Sequence, residues 1–269
     1  MGMRVLGVAV LVMGLAASSA SAGFVKIDDF ENYAADSAIN GQGSWTGSGS
    51  ANAATVRVDP DGSVNKVLEV QRQGYADRGA YNTLGANGIA DGATGTVFFR
   101  MRRAGTASFS MGLTDTAINC DKDSQQGLLE TRFSGSKVYS SGLTTSGTLG
   151  SDTWVRYWLY VDNNNDTFSL YQEGNDMAVQ TLLHGFDPWM NDKGAVFAFQ
   201  NGTAANSLDY FAASVGQWGN PDTMYLDDIY VDLAGLNLGD PLFVARPVAE
   251  PAGLGLLGLA LLGVKRKRS

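Results

Sequence analysis

The chain has 269 residues, 34 glycines against six prolines, one cysteine, one histidine and a formal net charge of −8. Its length suits one moderate domain and at most two. The acidic balance disfavours a nucleic-acid partner, which needs clustered Lys and Arg, and the single cysteine excludes an intramolecular disulfide.

The chain opens on Arg4, an apolar core from Val5 to Ala17, and Ala20-Ser21-Ala22. Charged start, apolar middle and A-x-A site are the order of a secretory signal peptide, with cleavage expected between Ala22 and Gly23. Beyond it the pattern is all-β, with short alternating runs between Gly/Asn/Asp/Ser clusters. "GQGSWTGSGSANAAT" (41–55) is Gly/Ser-rich and reads as a long loop. "TVFFRMRR" places Val97, Phe99 and Met101 on one face, opposite Phe98, Arg100 and Arg102. "ASFSMGL" groups Phe109, Met111 and Leu113, and "WVRYWLYVD" sets Val155, Tyr157, Leu159 and Val161 opposite Trp154, Arg156, Trp158 and Tyr160. "TFSLYQEG", "GAVFAFQNG" and "TMYLDDIYVD" continue the rhythm. Several short strands with turn signals between them predict a two-sheet antiparallel sandwich or jelly roll.

The C-terminal end is "AEPAGLGLLGLALLGVKRKRS". Ala252 to Val264 would span about 20 Å as a helix, short of a hydrocarbon core of about 30 Å, and four cations follow it. A Glu-Pro motif, a short Gly/Leu/Ala helix and a terminal basic cluster resemble the PEP-CTERM sorting signal. That resemblance implies processing by an exosortase in a Gram-negative-type bacterium that makes extracellular polysaccharide. The tail helix would hold the membrane until processing. The family's first position is Pro, and this chain has Ala249 before Glu250 and Pro251. A plain C-terminal membrane anchor is the alternative. Both place the domain outside the inner membrane, at the cell envelope or in the extracellular matrix.

"IDDFENY", "DTWVRYWLYVDNNNDTFSLYQEG" and "MYLDDIYVD" together resemble the concanavalin A-like, laminin-G-like jelly rolls over roughly Lys26 to Asp232. The expected fold is thus an all-β jelly-roll sandwich with adjacent first and last strands, plus a signal helix and a short C-terminal apolar helix. The expected segments are a signal peptide (1–22), the jelly roll (23–235), a spacer (236–248) and the sorting signal (249–269). A galactose-binding-like jelly roll is the rival fold.

The chemistry is sparse. Asp162, Asn164, Asp166 and Glu173 match EF-hand spacing, but Thr167 replaces the required Gly and the flanks are β-patterned, so a hairpin turn is expected. If the terminal strands are neighbours, Asp28, Asp29 and Glu31 approach Asp227 and Asp228. Clustered acids repel unless a cation joins them, and the resemblance implies a structural calcium there. His184 has no G-x-S-x-G companion. Cys120 is flanked by acids and reads as a free or buried thiol. Glu31, Glu69, Glu130, Glu173 and Glu250 stand singly, without a laminarinase-type E-x-D-x-(x)-E strand, and an enzyme is not expected. A sugar-binding face is offered by Trp158, Tyr160 and Tyr171, with Arg156 or Gln172 as hydrogen-bonding groups; a plain packed layer is the alternative. Trp45, Trp189 and Trp218 fit either loop-borne platforms or plugs over the core ends. The function expected is an exported, non-catalytic surface or matrix protein that binds polysaccharide. A purely structural matrix component and an unrecognised glycan-cleaving enzyme are the rivals.

Overall fold

A computed structural model describes residues 23–48, 54–71, 78–105, 109–117, 129–134, 137–174, 177–215 and 223–243. The expected signal peptide, Cys120, Trp218 and the segment with Ala249, Glu250 and Pro251 lie outside the described residues. The chain divides into two compact units, Met1–Asn237 and Leu238–Ser269. In the second, the Asp240 carboxylate accepts the Leu242 N–H at 2.9 Å.

The strands are β1 (Val25–Asp28), β2 (Trp45–Ser48), β3 (Ala54–Val58), β4 (Lys66–Gln71), β5 (Arg78–Thr83) and β6 (Thr94–Ala104). There follow β7 (Phe109–Thr114), β8 (Leu129–Ser134), β9 (Lys137–Ser140), β10 (Leu143–Thr148), β11 (Trp154–Asp162) and β12 (Thr167–Gly174). The last are β13 (Met177–Leu182), β14 (Gly185–Phe186), β15 (Phe197–Ala198), β16 (Tyr210–Val215) and β17 (Thr223–Asp232). They form two antiparallel sheets. The first runs β13-β12-β11-β6-β17-β4-β3, with β1 on β17 and β15 on β12; the second runs β14-β10-β9-β8-β7-β16-β5-β2. Among the described residues no helix is long and apolar enough to cross a membrane.

Alternation explains the layering. Side chains two apart share a face, so Val97, Phe99 and Met101 of β6 and Val155, Tyr157, Leu159 and Val161 of β11 turn inward and are all buried. They meet Phe109, Met111, Leu113, Phe133 and Phe211 of the second sheet in one core. Rings cross the gap, with Phe99 5.8 Å from Phe211 and Phe133 edge-on to Tyr157 at 5.3 Å.

The first and last strands pair as expected, Val25 opposite Val231 and Asp28 opposite Ile229. The Gly/Ser-rich stretch departs from the sequence reading. Trp45–Ser48 is a strand laddered to β5, and Ala54–Val58 is laddered to β4. Its backbone bonds depend on no side chain, and the Trp45 indole supplies the burial that the glycines and serines lack. "GAVFAFQNG" falls short of a full strand, with Phe197–Ala198 alone paired to β12. After β17, Thr96 Oγ1 donates to the Gly235 carbonyl at 2.6 Å and accepts the Asn237 N–H at 3.0 Å, holding these residues to β6.

Candidate functional site

The Asn/Asp stretch after β11 is a hairpin turn into β12, with Asp166 at φ 51°. Asp162 accepts the Asn164 and Asn165 N–H groups at 3.0 and 3.1 Å, and Asp166 accepts the Ala204 N–H at 2.8 Å. The two aspartates of the EF-hand-like spacing therefore cap backbone, and Glu173 pairs with Arg156.

The acids of the terminal strands gather around the β1–β17 junction with basic side chains between them. Asp28 Oδ1 accepts the Phe30 N–H at 2.8 Å, and Oδ2 accepts the Tyr33 hydroxyl at 2.6 Å and the Trp45 indole N–H at 2.8 Å. Asp29 pairs with Lys26 at 2.6 Å. Glu31 accepts the Lys66 N–H at 2.8 Å. The Asp227 side chain is fully buried and takes hydrogen bonds from Asn65 Nδ2 at 2.8 Å and the Arg100 guanidinium at 2.6 Å. Asp228, at φ 51°, pairs with the same guanidinium. Burial, then the neighbouring Asp228 charge, pushes the Asp227 carboxyl up to about 7; burial likewise raises Asp228.

The acids expected to share a calcium are engaged by protein groups. Among the described residues no three His, Cys, Asp or Glu side chains are grouped to hold a metal. Juxtaposed carboxylates call for positive charge; Lys26 pairs with Asp29 and Arg100 with Asp227 and Asp228, while the Lys66 ammonium donates to the Glu31 and Tyr33 carbonyls at 2.6 and 2.8 Å. The outward position of Arg100 on β6 was the sequence signal for this.

The aromatic face of β11 is packed against its neighbours. Trp158 is 1 % exposed and edge-on to Phe98 at 5.1 Å. Phe98 also meets Tyr230 and Phe24, at 6.1 and 6.2 Å. The indole is thus part of a second packed aromatic layer rather than a free stacking platform. Tyr160 and Tyr171 are half-buried beside it, and Arg156 lies 3.4 Å from Glu173. Gln172 points inward, fully buried, donating to the Thr148 carbonyl at 2.8 Å.

The loop tryptophans separate. Trp45 is a plug, 2 % exposed, whereas Trp189 is 81 % exposed with Met190 beside it at 70 %. Trp189 sits at the tip of a loop fastened from within. Asp187 Oδ1 accepts the N–H groups of Trp189 and Asn191 at 3.0 and 2.9 Å, and Oδ2 accepts Asn191 Nδ2 at 2.9 Å. The Met190 N–H closes the turn on the Asp187 carbonyl at 2.9 Å. Lys193 pairs with Asp187 at 3.1 Å, and His184 Nδ1 lies 3.0 Å from Asp192. The Asn191 amide and these donors push the Asp187 carboxyl down to about 2. Asp192 is lowered by the Gly194 N–H and then by His184. The arrangement presents a large ring to solvent on ordered backbone, with amide, carboxylate, ammonium and imidazole groups in the same loop. Sequence offered Trp189 only as one of three equivalent tryptophans, because exposure is decided by the turn at Asp187.

No protein-family model and no curated protein matches the chain. Solved structures are similar to it at low identity. The catalytic domain of a glycoside hydrolase family 131 protein from Coprinopsis cinerea is 16 % identical with a TM-score of 0.48, over 81 % of this chain and 98 % of that one. Peanut lectin is 10 % identical with a TM-score of 0.45, over 78 % and 97 %. Winged bean acidic lectin, solved with methyl-α-D-galactose, is 7 % identical with a TM-score of 0.45, over 78 % and 97 %.

Proposed function

We propose that this is an exported, non-catalytic protein of the concanavalin A-like jelly-roll kind that binds extracellular polysaccharide through the Trp189 loop. The observation that carries the reading is a tryptophan 81 % exposed on a loop held by its own hydrogen bonds. Burying a large apolar side chain is worth about 1.5–3 kcal/mol, and folding leaves that undrawn at Trp189. A ring fixed in advance loses little freedom on binding, and aromatic faces suit sugar rings. The tail's resemblance to the PEP-CTERM signal supports delivery to the envelope or matrix by an exosortase-type enzyme.

The test is pull-down of the purified chain on a panel of insoluble and gelled polysaccharides, with calcium and with chelator. Saturable binding that Trp189→Ala weakens about tenfold or more, and that chelator leaves unchanged, is the expected result. No binding to any polysaccharide would favour a structural matrix component, and new reducing ends would establish a glycan-cleaving enzyme.

A further inference from the structure

Met190 stands next to Trp189 at the tip of its loop and is 70 % exposed. Its backbone is left-handed, at φ 64°, a conformation that glycine or a short polar side chain adopts with less strain than a long apolar one. The other described non-glycine residues with positive φ have an evident reason for it. Asp36, Asp152, Asp166, Asp228 and Ser141 carry short polar side chains, and Phe30 is fully buried, so that packing offsets the strain. Met190 has neither. The turn imposes the conformation, through the bond from the Met190 N–H to the Asp187 carbonyl at 2.9 Å, and the thioether is held out in solvent. Strained positions of this kind concentrate at functional sites.

The other methionines are placed differently. Met101 and Met224 are fully buried and Met111 is 2 % exposed, all three in the core, while Met177 is partly buried against it. Met1, Met3 and Met13 precede the expected cleavage site. We infer that Met190 is a site of reversible oxidation, at which a hydroperoxide converts the apolar tip of the loop into a polar one. A sulfur lone pair takes the terminal oxygen of the hydroperoxide, the O–O bond breaks, and the remainder leaves with its proton as water or an alcohol. Sulfur gives up two electrons and the peroxide gains them. The sulfoxide is polar and chiral where the thioether was apolar. A sulfoxide reductase reverses the step, two thiols returning the electrons and the oxygen leaving as water. The fastenings of the loop run from Asp187 to the backbone of Trp189, Met190 and Asn191 and to the Asn191 amide, and none uses the Met190 side chain. Oxidation therefore keeps the shape of the loop and changes what it presents beside the Trp189 ring. A loss of polysaccharide affinity on oxidation rests on the reading of that ring as the contact; the modification itself does not.

The test is brief treatment of the purified full chain with hydrogen peroxide, read by peptide mass. Met190 is expected to gain one oxygen atom at least about tenfold faster than Met101, Met111 or Met224, because buried side chains react only through opening of the fold. In urea the rates should converge. The oxidised chain should leave a hydrophobic-interaction column earlier, with its urea midpoint unchanged, and regain its retention after sulfoxide reductases for both epimers. Met190→Leu should keep its retention under peroxide, which separates Met190 from Cys120 and Trp189 as the oxidised group. In the polysaccharide pull-down, oxidation should weaken binding about tenfold in the native chain and leave Met190→Leu unchanged. If the reduced chain binds no polysaccharide, the binding reading fails, while mass and retention still decide oxidation at Met190. Oxidation of Met190 no faster than that of the core methionines, or unchanged retention of the oxidised chain, would overturn the inference.

Discussion

Asp28 shows how one side chain does several structural jobs. Its carboxylate takes the Phe30 N–H, the Tyr33 hydroxyl and the Trp45 indole N–H, so it ties β1 to the following turn and to a strand of the opposite sheet. Burial, then the bond to Asp28, pushes the Tyr33 phenol well above its ordinary range. Asp28→Ala would strand these donors at about 1–3 kcal/mol for each one left buried. The expected loss is about 3 kcal/mol or more, read from the urea midpoint with an unchanged denaturant slope. A loss below about 1 kcal/mol would mean that water replaces the carboxylate. Trp189→Ala belongs at the same scale with the opposite signature. The ring packs little, so stability should stay within about 0.5 kcal/mol while polysaccharide binding falls.

Among elements, β17 carries the Asp227 carboxyl, raised to about 7 by burial and the neighbouring Asp228 charge. Asp227 and Asp228 share the guanidinium of Arg100, which also lies 5.1 Å from the Trp154 ring. One cation between two buried acids leaves one proton held in the fold. With Asp227 at about 7, the folded chain keeps a proton that the unfolded chain releases in the ordinary carboxylate range. The group's contribution is therefore complete below that range and is lost as pH rises through about 7. Urea midpoints at roughly pH 5 and pH 8 should show Asp227→Asn flattening this decline; an identical slope in the variant would place the titration elsewhere. Legibility also differs by element. β6, β7, β11, β12 and β17 could be read directly, because inward and outward residues alternate over six or more positions. β2, β14 and β15 could not, since two to four residues are too few to show a period and their place is set by the neighbouring strand. The same holds for function. The acids at the terminal strands were visible as a cluster, but their basic partners, Lys26 of β1 and Arg100 of β6, meet them only through register.

At the scale of the whole molecule, the ends that sequence marks for processing flank a domain whose own terminal strands are side by side. If both signals are used, exported protein should begin at Gly23 and lack Ser269, which intact mass would show; retention of Ser269 would remove the sorting reading. The position of β17 has a consequence for how such a protein is made. It lies between β6 and β4, both of which precede it by more than a hundred residues, and β1 pairs with it in turn. The middle of the first sheet is thus the last part the ribosome supplies. Until then β6 and β4 have no strand between them, and β1, the first strand, waits for its partner. Loop closure over such separations is slow and must precede any gain from contacts. Local pairs such as β3–β4, β7–β8 and β11–β12 can form as they emerge, but the first sheet stays split until its last strand is made.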